Sequence, residues 1–393
     1  MRKNISIIDL DCCGCLNCEK VCAKHAIKIT ASEEGFLYPE LNNNCTECGA
    51  CLKVCPQTKN FTGSLIQVAY AAISKDEQVM SKASSGGVFG TIAKHILQKK
   101  NSYVCTASFV DGEVKHIITN KLDDIKRCQG SKYVQSNIGD CIPQIKMLLK
   151  SGSLVLFCGT PCQVAALYSY LGSRHENLYT LDLICHGVPS PLFFKKNMKH
   201  YCKSFEKIND IRFRWKNPFT PNRKSSFILN IEKENGYELY SSSYDPYFAS
   251  FMRGESFRQS CYQCKYSNLN RMGDITIGDF DSHNLYPEFC PEFGKSTVII
   301  NTNQGYELWK ETCGLFHTLN IDLDKEAAVN HQLDHPFKKS VIRDFIYQDV
   351  KRLSFKELQK KYARPNTKQQ KILFAIQTYI PELYKLVLLK NKL

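Results

Sequence analysis

The chain has 393 residues, 43% apolar and 23% charged, which suits a globular protein with a good core and excludes a disordered or low-complexity one. Its formal net charge is +14, yet residues 331–393 alone carry 14 Lys or Arg against 5 Asp or Glu, so the basic excess belongs mostly to the tail. Twenty cysteines, no signal-peptide pattern in Met1–Leu10 and no apolar run near the roughly 18 residues that span a bilayer place the thiols in a reducing compartment, the cytoplasm.

Residues 1–60 hold two runs, Cys12, Cys15, Cys18, Cys22 and Cys45, Cys48, Cys51, Cys55, each C-x2-C-x2-C-x3-C. Thiolates are soft ligands, and this spacing is the bacterial ferredoxin pattern in which the fourth cysteine serves the other cluster. One 4Fe-4S cluster is therefore assigned to Cys12, Cys15, Cys18 and Cys55, and its partner to Cys45, Cys48, Cys51 and Cys22. Zinc sites pair C-x2-C units without a third cysteine in register, so they fit less well. Cys13 is out of register and reads as a non-ligand. Ala26–Thr30 and Gly35–Tyr38 read as short strands between the runs.

Residues 61–150 open with a buried strand, Val68–Ile73, followed by Ser84-Ser85-Gly86-Gly87 and an amphipathic helix over Val88–Lys100. Such a helix start leaves amide groups free for a phosphate, although a plain cap is the commoner reading. Gly130–Ser136 reads as a loop whose Lys132 either meets an anionic ligand or faces solvent.

Residues 151–330 carry further cysteines. A strand at Ser153–Phe157 runs into Cys158-Gly159-Thr160-Pro161-Cys162-Gln163, with a helix over Val164–Tyr170. A second strand, Leu178–Ile184, ends in Cys185-His186-Gly187. Strands ending in glycine or proline turns mark the carboxyl edge of an α/β sheet, where ligands bind. With Cys261 and Cys264, the pair Cys162 and Cys185 makes a candidate third set. Zinc also suits C-x2-C, and Cys158 competes with Cys162. Residues 331–393 read as helical: Ser354-Phe-Lys-Glu357 is a capping-box pattern, with a helix to Tyr362. A last helical run spans Lys368–Lys392, with Pro381 bending it. Packing on the body, or contact with a membrane surface or an acidic protein, would both use this tail. Neither G-x-G-x-x-G nor a G-x-x-x-x-G-K-[ST] phosphate loop is present.

Ser84–Gly87, Gly130–Tyr133, Gly159–Gln163, Cys185–Gly187, Cys261-x2-Cys264 and Gly278–Phe280, in this order, resemble the beta-subunit family of coenzyme F-420 hydrogenases and dehydrogenases. The resemblance runs from about residue 10 to residue 305 and is to the form fused to an N-terminal ferredoxin unit, some members of which sit among bacterial surface-polysaccharide enzymes. It implies an α/β body of mixed sheets and flanking helices, after a small α+β ferredoxin-like unit and before a helical tail. It further implies FAD held by Ser84, Ser85, Gly86, Gly87, Lys132, Tyr133, Gly159 and Thr160, and a third cluster on Cys162, Cys185, Cys261 and Cys264. The activity implied is electron transfer from a ferredoxin-type donor or partner redox subunit, through clusters and flavin, to an organic small molecule, either deazaflavin-like or from a polysaccharide pathway. Nucleic acid is not an expected partner. An electron-transfer subunit without its own catalysis, and a scaffold with structural clusters, are the competing readings.

Overall fold

In a computed structural model, the described residues are 3–61, 67–202, 205, 208–217, 225–234, 236–290, 292–363, 372 and 374–376. The ferredoxin unit contains one antiparallel hairpin, β1 (Ile27–Ala31) with β2 (Leu37–Leu41), between the two cysteine runs. The body contributes β3 (Val68–Ser74), β4 (Ser102–Val110), β5 (Glu113–Thr119), β6 (Leu154–Gly159) and β7 (Leu178–Leu183). After them come β8 (Ile208–Arg212), β9 (Trp215–Lys216), β10 (Ser225–Ser226), β11 (Ile228–Lys233) and β12 (Gly236–Ser241). β13 (Ile275–Asp279), β14 (Ser296–Ile300) and β15 (Phe316–Ile321) complete the strands.

Eight of these form one mixed sheet in the order β15-β3-β14-β13-β7-β6-β4-β5. Its centre, β4, β6, β7 and β13, is parallel, and the flanking pairs are antiparallel. Strands from 61–150 and from 151–330 thus lie side by side in a single sheet. The apolar runs Val155–Phe157 and Ser296–Ile300 are buried throughout, as central strands covered on both faces must be. The pleat sorts them. Val104 and Leu156 pack with the helix Val88–Leu97 and with Trp309 on one side. Cys105, Val155 and Phe157 point the other way, onto the helices Cys141–Lys150 and Pro161–Leu171.

A second layer has its own aromatic core. The sheet β12-β11-β8 and the helices Pro191–Tyr201 and Pro246–Met252 gather Phe193, Phe194, Phe213, Tyr247, Phe248 and Phe257. Into the same core go Ile346, Tyr347, Val350, Leu358 and Tyr362, from the helices Arg343–Arg352 and Phe355–Tyr362. The first half of the basic tail is therefore packed structure. Its longer predicted helix, Lys368–Lys392, lies almost wholly outside the described residues. Among the described residues no helix is long and apolar enough to cross a membrane.

The Ser354–Glu357 capping box forms as expected, with Glu357 Oε2 accepting from the Ser354 backbone amide at 2.7 Å and Ser354 Oγ accepting from the Glu357 amide. Ser354→Ala is expected to lower stability by about 1 kcal/mol, read as a shifted denaturant midpoint with an unchanged slope.

Candidate functional site

The two cysteine runs repeat in conformation as well as in spacing. Gly14 and Glu47 occupy matching places and both have positive φ (74° and 52°); so do Leu16 and Gly49 (66° and 74°). Two non-glycine residues are held left-handed because the chain must wrap each site the same way. Each run then makes one short helix, Asn17–Lys20 or Ala50–Lys53, carrying its third cysteine. Cys12, Cys15, Cys18 and Cys55 line one small cavity, with the fourth member coming from the other run as the ferredoxin pattern requires. Gly14 N donates to Cys12 Sγ and Ala26 N to Cys22 Sγ. In the set Cys45, Cys48, Cys51 and Cys22, Cys48 is exposed, Cys45 and Cys22 are half-buried and Cys51 is buried.

The body holds a cavity of about 310 Å³ at the carboxyl edge of the parallel strands. Its wall joins the helix start at Ser84, Ser85 and Gly87, the loop at Lys132 and Tyr133, the turn at Gly159, Thr160 and Cys162, and Cys185, Cys261 and Cys264. The turn after β6 begins a helix earlier than the apolar pattern indicates. Pro161 supplies its first residue, and Gln163 Oε1 accepts from Thr160 N at 3.0 Å, so Cys162 sits in the first helical turn.

The four cysteines of the third set line the same cavity, although among the described residues no three Cys, His, Asp or Glu side chains are drawn together closely enough to hold a metal ion. Burial, then the neighbouring Cys162 and Cys264, pushes Cys185 up to about 12, and burial, then Cys162, pushes Cys264 up to about 11. Cys261 rises for the same reasons. All four are half-buried on one cavity wall, and thiolate sulfurs are the soft donors that iron–sulfur clusters take. Beneath them the fully buried pair Arg271–Asp182 (3.1 Å) ties the loop after Cys264 to β7. Cys158 also lines this cavity, but it is 6% exposed and packs among the β4, β6 and β7 core residues, where burial pushes its thiol up to about 12.

The expected flavin contacts divide. Gly87 caps the Val88–Leu97 helix in a left-handed conformation with no side-chain cap, so the first amides remain open to the cavity. Gly86 is required by space, since a Cβ there would come within 2.1 Å of Ala72 O. The serines work inward: Ser84 Oγ accepts from Ser131 N at 2.7 Å, and Ser85 Oγ donates to Lys295 O. Lys132 is neither a solvated lysine nor a free donor. Its ammonium donates to the carbonyls of Cys128, Gln129 and Gly130 at 3.0–3.1 Å, using all three hydrogens on the end of the Leu122–Cys128 helix. It lines the cavity, where burial lowers its proton affinity from the usual lysine value. Tyr133 stacks on Phe251, with centroids 4.2 Å apart, in the aromatic core.

Residues with no motif of their own complete the wall. Gln129 Oε1, Asn330 Oδ1 and both ring nitrogens of His116 are buried there without hydrogen-bond partners among the described residues. Burial holds the His116 imidazole down to about 4, hence neutral. Unpaired buried groups cost free energy, and a polar ligand would satisfy them. Arg214 Nη1 donates to Asp279 Oδ2 at 2.6 Å, at the end of β13. A cavity of this size, with open helix amides, a fixed positive charge and unmatched polar atoms, fits a nucleotide-type cofactor.

The ferredoxin unit is bolted to this cavity. The Arg258 guanidinium, 1% exposed, donates to Cys12 O (2.5 Å), Gln135 Oε1 (3.1 Å) and Leu37 O (2.8 Å), and lies 4.0 Å over the Tyr38 ring. Tyr266 donates to Pro56 O and packs with Cys15, Cys162 and Cys264. These contacts bring two cysteine sets to one interface; nothing in local spacing marks Arg258 or Tyr266 for that role.

Comparison with known proteins places the arrangement among iron–sulfur redox proteins, since a 4Fe-4S dicluster domain model matches residues 11–59. The body matches two models of one family, coenzyme F420 hydrogenase/dehydrogenase beta subunit: the N-terminal model over residues 69–142 and the C-terminal model over 152–322. The chain belongs to that family, in a form carrying the dicluster domain. Residues of the chain are 40% identical over 52 positions to a component of the ion-translocating oxidoreductase complex of Methanosarcina acetivorans, a match spanning 13% of this chain and 18% of that one. A chain from the F420-reducing NiFe hydrogenase complex of Methanosarcina barkeri is 17% identical, with 73% of this chain and 93% of that chain covered and a TM-score of 0.46.

Proposed function

We propose that this protein is an iron–sulfur flavoprotein oxidoreductase that takes electrons from a ferredoxin-type donor or partner redox subunit and reduces an organic small molecule. The observation that supports it most is the cavity walled on one side by the open helix start at Gly87 and on the other by Cys162, Cys185, Cys261 and Cys264. FAD, when bound there, would supply the exchange between single electrons and the pairs that organic reductions need. The chain's own part is to place an anionic group at the helix amides, to hold the Lys132 charge nearby and to keep a neutral imidazole and two amide oxygens facing the ligand. We assign the clusters to Cys12, Cys15, Cys18, Cys55, to Cys45, Cys48, Cys51, Cys22 and to Cys162, Cys185, Cys261, Cys264. The exposed Cys48 marks where a donor would dock. A deazaflavin and a polysaccharide-pathway intermediate are both substrates of the proposed kind.

The test is extraction of the bound cofactor from anaerobically purified protein. FAD near one per chain is the expected result, and protein with full iron and no flavin overturns the reading. Lys132→Gln removes the charge but keeps an amide donor for the helix carbonyls, so FAD content should fall at equal iron loading. Equal flavin in both proteins would remove Lys132 from the site. The second reading, an electron-transfer subunit within a larger assembly, is favoured by the exposure of Cys48; flavin-loaded protein that turns over only with a partner chain would select it.

A further inference from the structure

Asn330 follows the short helix Leu323–Val329 and belongs to none of the sequence motifs, yet two acceptors fix its orientation. Its Nδ2 lies 3.3 Å from Glu326 Oε1 and 3.4 Å from the carbonyl oxygen of Asp279. A backbone carbonyl can only accept. The fully buried Glu326 carboxyl already accepts from the amides of Asp281 and Ser282 and from the hydroxyls of Ser282 and Thr297. The Asn330 side chain must therefore turn its NH2 towards them, which leaves Oδ1 as the outward atom. Asn330 is 2% exposed and lines the large cavity, and its Oδ1 has no partner among the described residues. Asp279, the last residue of β13, lines the same cavity. Arg214 Nη1 donates to its Oδ2 at 2.6 Å, while Nε of the same arginine donates to Ser225 Oγ. Asp279 Oδ1 accepts nothing among the described residues. Asp279 also pairs with Ser296 of β14, whose Oγ accepts from Gly86 N at 3.0 Å, so these acceptors lie next to the strand that touches the open helix start.

We infer that this end of the cavity binds hydroxyl groups of its ligand, with Asn330 Oδ1 and Asp279 Oδ1 as the acceptors. The inference deepens the function proposed above and rests on the cavity being a ligand site. A buried acceptor left unpaired costs free energy, and only a donor recovers it; an apolar ring does not. The Asp279 carboxylate is already matched by Arg214, so the place calls for donors and not for a cation. Neighbouring hydroxyls on a carbon chain or a sugar ring supply two such donors on adjacent atoms. The helix amides at Gly87 favour an anion close by. The ligand class is therefore a polyol or sugar that carries phosphate. The polyol part of a flavin nucleotide and a sugar phosphate group of the substrate share that chemistry.

The experiment uses the full chain, purified anaerobically and freed of flavin, with iron content and thermal unfolding recorded for every variant. The probes are FAD, lumiflavin (the flavin ring without hydroxyls) and glucose 1-phosphate, the last added to both flavin-free and FAD-loaded protein. Asp279→Asn lets Arg214 keep a side-chain oxygen and turns an NH2 into the cavity, so an acceptor becomes a donor at nearly constant shape. It is expected to weaken binding of FAD or of glucose 1-phosphate roughly tenfold at unchanged iron. Lost FAD affinity assigns the hydroxyls to the cofactor; lost glucose 1-phosphate affinity at unchanged FAD affinity assigns them to the substrate. Asn330→Leu, which removes the other acceptor, should weaken the same probe; if that variant unfolds, Asp279→Asn carries the test alone. Asp281→Asn removes an exposed carboxyl outside the cavity wall and should leave binding as it is. Wild-type protein that binds glucose 1-phosphate but no FAD would fail the flavin reading and keep this one. Asp279→Asn protein that binds each probe as tightly as the wild type overturns the inference, as does wild-type protein that binds neither FAD nor glucose 1-phosphate. So does an equal loss in Asp281→Asn, the mark of charge alone, or a loss of lumiflavin equal to that of FAD, which would put the ring at this end.

Discussion

Replacing Cys162 with Ser is expected to lower iron from about twelve to about eight atoms per chain, the loss of one four-iron cluster. The argument is geometric. Cys162 occupies the first turn of the Pro161–Leu171 helix and lines the cavity with Cys185, Cys261 and Cys264, whose thiols feel its charge. Cys158, four residues earlier, sits in β6 among Val104, Leu156 and Leu181 and belongs to the core on that face. Cys158→Ser should therefore keep about twelve irons and register only in stability. Iron and acid-labile sulfide, with visible spectra of anaerobic protein, give the answer. If the Cys158 variant loses the cluster, the ligand set is wrong; if neither does, the quartet holds no cluster.

Truncation after Asp334 is expected to abolish folding of the body. The deleted stretch includes Ile346, Tyr347, Val350, Leu358 and Tyr362, each at most 4% exposed. Buried side chains of this size are worth roughly 1.5–3 kcal/mol each, so the sum reaches the whole stability of an ordinary domain, about 5–15 kcal/mol. Arg343, 0% exposed, adds a bidentate pair to Glu34 of the ferredoxin hairpin at 2.8 and 2.6 Å. Arg343→Ala alone should cost roughly 3–5 kcal/mol, because a partly buried carboxylate loses its partner. A truncated chain with wild-type thermal stability would show that the tail is dispensable and would return it to a docking role. Truncation after Ala363 is the control: it leaves these contacts intact, and any lost affinity for an acidic partner or anionic lipid would then belong to the residues beyond.

Local chemistry was enough to read the ferredoxin unit. Its two C-x2-C-x2-C-x3-C runs lie within 44 positions, from Cys12 to Cys55, and a 4Fe-4S dicluster domain model matches residues 11–59. The parallel strands, the Ser354 cap and the glycine-rich helix start were legible for the same reason: each depends on neighbours a few residues away. The expectation that Cys162 goes with Cys185, Cys261 and Cys264 came from the family motifs, since spacing left it open, and the four line one cavity. Only the tertiary structure decided the rest. Lys132 spends its hydrogens on helix carbonyls, a use set by how the chain turns back after Cys128. His116, Gln129 and Asn330 become a polar wall because β5, the loop after Cys128 and the segment before His331 meet around one cavity. Arg258 donates to the carbonyl of Cys12, 246 residues away in sequence. A basic composition described residues 331–393 as a surface; burial of Arg343 and its aromatic neighbours made the first half of them core. Charge and periodicity report what a segment can do with its own neighbours, and burial against distant chain is fixed only when the whole molecule closes.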